Sequence, residues 1–320
     1  MIIKNNLSFI TSNIGNNNYQ APQGYKVGKV YAVMLSPSSV PANIWEENGG
    51  WGGIGTVVYQ EYQEDNEISL KDLTNKFLST LPTALPLYPN QKYFPLPGEI
   101  ILLVDLPSAP SPVSEKTRET YYLSSINAWN SPQFNGLFSE TDKDILYDSF
   151  IENKDFKSLQ VFEGDYLLEG RFGNSIRFGT TVRVASNRNE WSDIGLEGSP
   201  ITIISNGHKY DKNKDFYLEQ INEDASSLYL TSTQQLPLQT DKTGTLNPLT
   251  NPIDASKYFN AQAILNSDRV VLNAKRDEIM LFAKTNIELN TKNIINLNAD
   301  ERVHLNSKEI FLGTVNNQLP

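Results

Sequence analysis

The sequence predicts a mainly β protein with a small N-terminal barrel and a C-terminal needle in which three chains wind around one axis. Two observations carry this prediction. In the N-terminal part, short apolar segments rich in β-branched and aromatic residues are separated by Pro- and Gly-rich connections, as in small barrels. Towards the C-terminus, an apolar–x–Leu triplet recurs about every eight residues, which is typical of stacked short strands.

The composition of the 320-residue chain excludes several kinds of chemistry. There is no cysteine, which rules out disulfides and thiolate sites, and histidine occurs only at His208 and His304. The net charge is −10 without any basic stripe, so we expect no binding to nucleic acid. The first residues lack an apolar signal core, and no apolar run is long enough to span a bilayer. We therefore expect a soluble protein that is not exported by a signal peptide.

The N-terminal half is interpreted as an arm followed by a barrel. Residues 1–26 are polar and irregular, and the barrel is predicted over 27–160. A helical insertion is predicted at 139–156, where Ser139 or Thr141 serves as N-cap. Short strands are predicted at 29–35, 55–62, 98–107 and 121–130, and a second short helix at 71–78.

Residues 161–237 are interpreted as a Gly-rich β connector at the start of the needle. Its first part, 162–182, alternates polar and apolar residues, and its four glycines indicate tight corners or close backbone approach. Further strands are predicted at 199–207 and 226–233. Residues 238–258 form a linker, and the needle itself is predicted over 259–320.

The needle repeat is defined by leucine. Leu recurs at positions 265, 272, 281, 289, 297, 305 and 312, and a small or β-branched apolar residue stands two positions before each one. Asn usually follows the Leu. Side chains two apart lie on one face of a strand but diverge by about 200° around a helix, so the triplets predict strands. The polar residues between them predict a turn or corner in each unit.

Such short strands cannot bury themselves within one chain, so they need stacked neighbours. A single-chain solenoid and an ordinary antiparallel sheet are the alternatives, but no Asn-Gly or Asp-Gly hairpin signal separates the units. We therefore expect a triangular prism made by three chains. The residues predicted to form the trimer core are Val270, Leu272, Ile279, Leu281, Ile287, Leu289, Ile295, Leu297, Val303, Leu305, Ile310 and Leu312. His304 alternates with two of them and is expected on the outer surface.

Several segments resemble one known family of proteins. GKVYAVML, GWGGIGTVVY, KYFPLPGEIILLVDLP and YYLSSINAWN resemble the OB-fold barrel of the central spikes of contractile phage tails. EGDYLLEGRFGNSIRFGTTV, GSPITIISNG and SSLYLTSTQQLPL are similar to the joint between barrel and needle in T-even-like spikes. The eight-residue repeat resembles their triple-stranded β-helix, which type VI secretion spikes share. The resemblance covers about residues 27–313, and its specificity lies in the combination of these parts.

The resemblance implies a homotrimeric virion protein at the centre of the tail baseplate, beneath the tail tube. Its barrel would dock on a baseplate hub protein, and its needle would pierce the outer envelope of the host cell. The spike of a type VI or related injection system, or an envelope-degrading tail enzyme, is the alternative. The needle ends in TVNNQLP without a metal-binding His-x-His tip, so either a separate spike-tip protein caps it or the chain continues.

We predict no enzymatic activity, no cofactor and no metal site. The segment between barrel and needle is too short for the lysozyme domain of T-even-like spikes, and no Gly-x-Ser-x-Gly motif occurs. The glycine run at 49–53 lacks a following Gly-Lys-Ser/Thr and is interpreted as a barrel loop. Asp144, Asp148 and Glu152 are interpreted as one solvated helix face. Residues 211–223 resemble a calcium loop but lack its glycine and its final glutamate, which predicts a polar turn.

Overall fold

The computed structural model describes two compact units, formed by residues 1–153 and 154–320. The residues it describes are 24–61, 73–88, 90–91, 93–107, 118–126, 136–137, 151–152, 156–182, 195–208, 213, 216–240 and 253–310. Strands predominate in both units and the described helices are short, which confirms the prediction of a mainly β fold.

The first unit contains a closed five-stranded barrel, as predicted. Its strands follow the order β1-β2-β3-β5-β4, and β4 pairs with β1 to close the sheet. All neighbours are antiparallel except β3 and β5, which are parallel. This strand order is compatible with an OB-like barrel. The strands are β1 (Lys26–Val33), β2 (Val57–Glu61), β3 (Thr83–Pro86), β4 (Ile100–Pro107) and β5 (Arg118–Ser125).

The barrel interior is filled by apolar side chains from all five strands. Gly28 on β1 allows this packing, because a Cβ there would lie 2.7 Å from Leu103 and 2.9 Å from Tyr59. Tyr122 enters the core and donates its hydroxyl hydrogen to the carbonyl of Gly55, 2.8 Å away. The core residues are Val30, Val33, Val57, Tyr59, Ala84, Ile101, Leu103 and Tyr122.

Two short helices cover the outside of β1 and β2. Helix α1 (Ala42–Glu47) follows Pro41, and α2 (Asn75–Leu78) begins at Thr74, whose hydroxyl accepts a hydrogen bond from the Phe77 N–H. A register shift in β1 between Val30 and Ala32 interrupts the usual alternation of side chains. Tyr31 and Ala32 therefore both lie in the outer cluster, whereas Val30 and Val33 lie in the barrel core. The outer cluster consists of Tyr31, Ala32, Met34, Val40, Ile44, Val58 and Leu78.

The structure corrects the helix predicted at 139–156. Ile151–Glu152 forms β7, which pairs with β6 (Gly136–Leu137), and Phe156 is not helical. The β-branched Ile151 suits a strand, and cross-strand hydrogen bonds replace helical ones there. The rest of the predicted helix lies outside the described residues. The short helix predicted at 71–78 is found as α2.

The second unit contains a five-stranded antiparallel sheet in the order β12-β11-β10-β9-β8. Its strands are β8 (Tyr166–Glu169), β9 (Asn174–Thr180), β10 (Pro200–Asn206), β11 (Ser226–Thr231) and β12 (Gln262–Ser267). The first triplet of the repeat, Ala263–x–Leu265, therefore lies on β12 in this sheet and does not begin a free needle. The remaining described residues of the predicted needle, 268–310, contain neither helix nor strand, so the structure does not show the predicted triple-stranded β-helix.

Candidate oligomerisation surface

The residues of the predicted needle core form an apolar stripe along the sequence that no described part of the chain covers. Every residue from 268 to 310 is exposed. The eleven described positions of the predicted core, Val270 to Ile310, are between 50% and 66% exposed, and Leu312 lies outside the described residues. Burying one such side chain contributes about 1.5–3 kcal/mol. Burying the apolar stripe against a partner would therefore provide a large favourable free energy of association.

The backbone of this segment bends at regular intervals. Bends occur at 268, 275–277, 284–285, 292–293, 300–301 and 308, and each begins three residues after a Leu of the repeat. A charged residue stands at the first position of every bend. The one nine-residue unit, between Leu272 and Leu281, contains the longest bend, so its additional residue is accommodated at a corner. Straight apolar triplets thus alternate with polar corners.

One face of the sheet in the second unit is also largely apolar, and no described part of the chain covers it. Residues paired across neighbouring strands point to the same face, so the register defines two complete rows on it. Six of these side chains are 38–58% exposed: Tyr166, Leu168, Phe178, Ile204, Leu230 and Leu265. The two rows, here called the open sheet face, are Tyr166-Phe178-Thr202-Leu230-Ala263 and Leu168-Ile176-Ile204-Leu228-Leu265.

The open sheet face and the apolar stripe are continuous along the chain. Ala263 and Leu265 occupy the last strand of the open sheet face, and they are also the first apolar–x–Leu triplet of the repeat. The pattern continues with Val270 and Leu272 directly after β12. The same repeat therefore supplies apolar residues both to the open sheet face and to the apolar stripe.

The opposite face of the same sheet is covered by the unit's own loops. Its apolar core contains Ile201, Ile203 and Tyr229 from the sheet, with Ile221 and Leu236 from the loops. The sheet therefore has a hydrophobic core on one face, and the apolar side chains of its other face are exposed. A soluble antiparallel sheet with a solvated outer face normally carries mainly polar side chains there, whereas Thr202 is the one polar residue in the two rows of the open sheet face.

A buried arginine anchors the covered face. Arg177 on β9 is fully buried, and its guanidinium contacts both oxygens of Glu219 at 2.7 and 3.0 Å. It also donates to Asp165 at 2.7 Å and to the carbonyl of Gln160 at 2.8 Å, and lies 5.5 Å from the ring centre of Phe162. Two loops are thereby tied to the sheet.

Burial changes the acid–base properties around Arg177. Burial raises the pKa of Asp165 above its ordinary value, although the guanidinium of Arg177 acts in the opposite direction. Burial also raises the pKa of Glu169, which accepts a hydrogen bond from the Leu159 N–H at 2.7 Å. Burial lowers the pKa of Arg177, but the hydrogen bonds and charges of Glu219 and Asp165 outweigh this effect and raise it.

The structure brings together a serine, a histidine and an aspartate that the sequence did not connect. The Ser175 hydroxyl lies 3.3 Å from Nε2 of His208, and Nδ1 of His208 lies 3.4 Å from Oδ2 of Asp224 without hydrogen-bond alignment. These residue types form nucleophilic triads in hydrolases. Here Ser175 is only 5% exposed and lies on the covered face. Asp224 instead accepts hydrogen bonds from the Ser205 hydroxyl at 2.5 Å and the Gln220 N–H at 3.2 Å, which tie its loop to the sheet.

The other sequence candidates are dispersed. Residues 50–53 form a 3₁₀ turn between α1 and β2, and Glu152 lies on β7 and not on a helix. Asp144, Asp148 and most of 211–215 lie outside the described residues, and Glu219 is occupied by Arg177. His304 is exposed. Among the described residues, no cluster of acidic or histidine side chains could hold a metal ion, and no helix is long and apolar enough to cross a membrane.

Comparison with known proteins identifies no relative: no protein-family model, no curated protein and no solved structure matches this chain. Function is therefore inferred from the apolar surfaces of the chain.

Proposed function

We propose that this chain is a structural virion protein, the central spike of a contractile tail baseplate, and that three copies assemble it. The observation that carries the proposal is the regular apolar stripe from Val270 to Ile310, which is exposed in the single chain. A segment with this pattern is an assembly surface, because ordering it costs about 1–2 kcal/mol per residue without any core to offset that cost.

The absence of pairing within the described segment favours other copies as its partner. A single-chain solenoid would pair each triplet with the one a full coil later and would bury the apolar stripe. Residues 268–310 contain no paired strand, and all of them are exposed. Strands from other copies would therefore supply the missing neighbours. A bend after every triplet suits a triangular prism, in which each side is one short strand long.

The open sheet face supports a trimer that begins before the needle. Three copies of this face would enclose a common apolar core, and β12 would lead each chain directly into the prism. The first triplet of the repeat would then belong to the same trimer core as the later ones. A closed prism leaves few free strand edges and interlocks its chains, which suits a part that is loaded along its axis.

The barrel supplies the proposed attachment. Its closed order β1-β2-β3-β5-β4 is that expected for an OB-fold, which the resemblance assigns to docking on a baseplate hub protein. In this proposal the barrel stays on the hub, the needle pierces the outer envelope of the host, and a separate tip protein caps the end. The spike of a type VI or related injection system would use the same parts.

An envelope-degrading tail enzyme is the competing function. It would require an accessible reactive group, and the one described arrangement of Ser175, His208 and Asp224 is enclosed within the second unit. We therefore propose a mechanical function without catalysis. Clearing of a cell-wall suspension by the purified protein, abolished by Ser175→Ala, would favour the enzyme instead.

Sedimentation equilibrium of the purified full-length chain tests the proposal. We expect a single species of three times the 36.0 kDa chain mass, about 108 kDa, that persists on dilution to micromolar concentration. A monodisperse folded monomer would contradict the proposal, because the apolar stripe would then have no partner. A dimer would contradict the three-sided prism.

A further inference from the structure

The outward positions of the first needle triplets are unexpectedly apolar. In a run of alternating side chains, the neighbours of the stripe residues face away from the stripe. Val271 and Met280 precede Leu272 and Leu281, and Phe282 follows Leu281. They are 67%, 63% and 88% exposed, respectively. A trimer that buries the apolar stripe would leave these three residues on its outer surface.

The same two positions are polar in the next three triplets. Phe282 stands where five other units of the repeat carry Asn, and Met280 stands where Glu288, Asn296 and His304 follow. Elsewhere in the repeat, Ile294 beside Ile295 is also apolar and 72% exposed, and Phe311 is the middle residue of the last triplet, so what distinguishes residues 271–282 is that three such apolar residues stand together. The Asn residues in the position of Phe282 are Asn266, Asn273, Asn290, Asn298 and Asn306.

Positive charge is concentrated in the same stretch. Residues 269–284 contain four Lys or Arg and two acidic residues, a net charge of +2 in a chain whose total is −10. Residues 285–310 contain three basic and four acidic residues, a net charge of −1. All the charged residues of 269–284 are exposed. We call this stretch the basic–apolar band: Val271, Met280 and Phe282 with Arg269, Lys275, Arg276 and Lys284.

We propose that the basic–apolar band binds the surface of an anionic phospholipid membrane. An exposed aromatic residue and two aliphatic ones among basic side chains have the chemistry of interfacial membrane binding, in which apolar groups enter the lipid boundary and Lys and Arg meet anionic headgroups. The inference rests on the proposed trimer, which would display the band three times around the needle. A membrane that surrounds a penetrating needle contacts all three copies, whereas one protein partner would contact one side.

Vesicle flotation of the full-length trimer tests the inference. The probes are vesicles of phosphatidylglycerol with phosphatidylcholine, and vesicles of phosphatidylcholine alone. We expect the protein to float with the anionic vesicles, to bind the neutral ones at least about tenfold more weakly, and to be released by high salt. Equal binding to both vesicles would contradict the proposed charge recognition.

Two variants separate the band from the rest of the needle. Met280→Asn with Phe282→Asn introduces residues that the repeat uses elsewhere at these positions, and should reduce flotation at least about tenfold. His304→Asn, at the position equivalent to Met280 three units later, should leave flotation unchanged. Equal flotation of all three proteins would overturn the inference. Association of trimers with one another through the band, without vesicles, would also overturn it.

Sedimentation of each variant before flotation distinguishes this inference from the proposed function. A wild-type trimer that fails to float contradicts membrane binding alone. A wild-type monomer contradicts the proposed function, and with it the outward orientation of the band.

Discussion

The guanidinium of Arg177 is fully buried, yet its nitrogen atoms contact oxygen atoms of three residues in two loops of the second unit. Glu219, Asp165 and the carbonyl of Gln160 all lie within 3.0 Å of it. Removing one partner of a buried ion pair leaves the others uncompensated, and that loss exceeds what the pair itself contributes. Arg177 is therefore a residue whose loss should strongly destabilise the covered face of the sheet.

We predict that Arg177→Met destabilises the second unit by about 3–5 kcal/mol. The reason is that Glu219 and Asp165 would remain buried without a cation. Urea unfolding followed by circular dichroism would measure the change. The double variant Arg177→Met with Glu219→Met should recover part of the loss, and a single variant within about 1 kcal/mol of wild type would contradict this interpretation.

Glu169 should give the second unit a pH-dependent stability. Because burial raises its pKa above 4.5, the folded state binds this proton more tightly than the unfolded chain does. The ionised carboxylate therefore reduces stability above the folded pKa, and the reduction is relieved as the pH falls towards 4.5. We predict that Glu169→Gln raises the melting temperature most at mildly alkaline pH. A difference from wild type that is independent of pH would contradict the prediction.

These residues could not be found from the sequence, for a physical reason. Arg177 alternates with apolar residues in GNSIRFG. This alternation shows which residues of the strand lie on the same face as Arg177, but not whether that face is buried. Its burial depends on Glu219, which is 42 positions later in the chain. Ser175, His208 and Asp224 are also far apart in the sequence, and only the pairing of strands and the packing of loops brings them together. Only the scarcity of histidine singled out His208 beforehand.

At the scale of elements, predictions succeeded where a pattern was local. The strands β1, β2, β4, β10 and β11 lie within or beside the predicted segments, because alternation and β-branching mark them directly. Strand β3 was missed because the prolines of LPTALPLYP indicate breaks. Helix α1 was missed because its six residues carry no side-chain cap, and tertiary packing of Ile44 stabilises it.

The inward assignment of the needle leucines predicts a large difference between adjacent positions. Leu289→Asp would place three carboxylates in one dry layer of the prism, at a cost of several kcal/mol for each buried charge. Asn290→Asp adds the same group to the outer surface and should change stability by less than about 1 kcal/mol. Trimer mass and protease resistance of the needle would be compared. Equal resistance of both variants would mean that Leu289 does not face the core.

The open sheet face predicts a second sensitive region outside the needle. Phe178→Asp, in the middle of β9, should weaken the proposed trimer, because the carboxylate would enter its proposed apolar interface. Asn206→Asp lies at the polar margin of the same face, at the end of β10, and should leave the trimer intact. Sedimentation velocity over a dilution series would measure both. If Phe178→Asp sediments as the wild type does, the open sheet face is not part of the interface.

The whole molecule combines parts that depend on association to different degrees. The barrel is closed and has its own core, and the sheet has a core on one side, whereas residues 268–310 have none. The repeat predicts association of several chains from the sequence alone, whereas the open sheet face required the register of five strands to be seen. Its rows combine residues separated by about a hundred positions, which no local pattern relates.

Truncation after Ser267 should separate these contributions. We predict that the shortened chain keeps the strand content of the barrel and the sheet, measured by far-ultraviolet circular dichroism. Its trimer should dissociate on dilution at least about tenfold more readily than that of the full chain, because the needle interface is gone. A truncated trimer as stable as the full-length one would show that the needle contributes little to association.

The exposed apolar stripe also has a consequence for the order of folding events. The barrel and the covered face of the sheet can form as soon as one polypeptide is complete, and such first-order steps do not depend on concentration. The proposed needle can begin only after three chains have met in register, so its rate depends on how many copies are nearby. Until then each newly made chain presents a long row of Val, Ile and Leu to the cell. Synthesis of neighbouring copies on one messenger would shorten that vulnerable interval, and slow or scattered synthesis would lengthen exposure to aggregation.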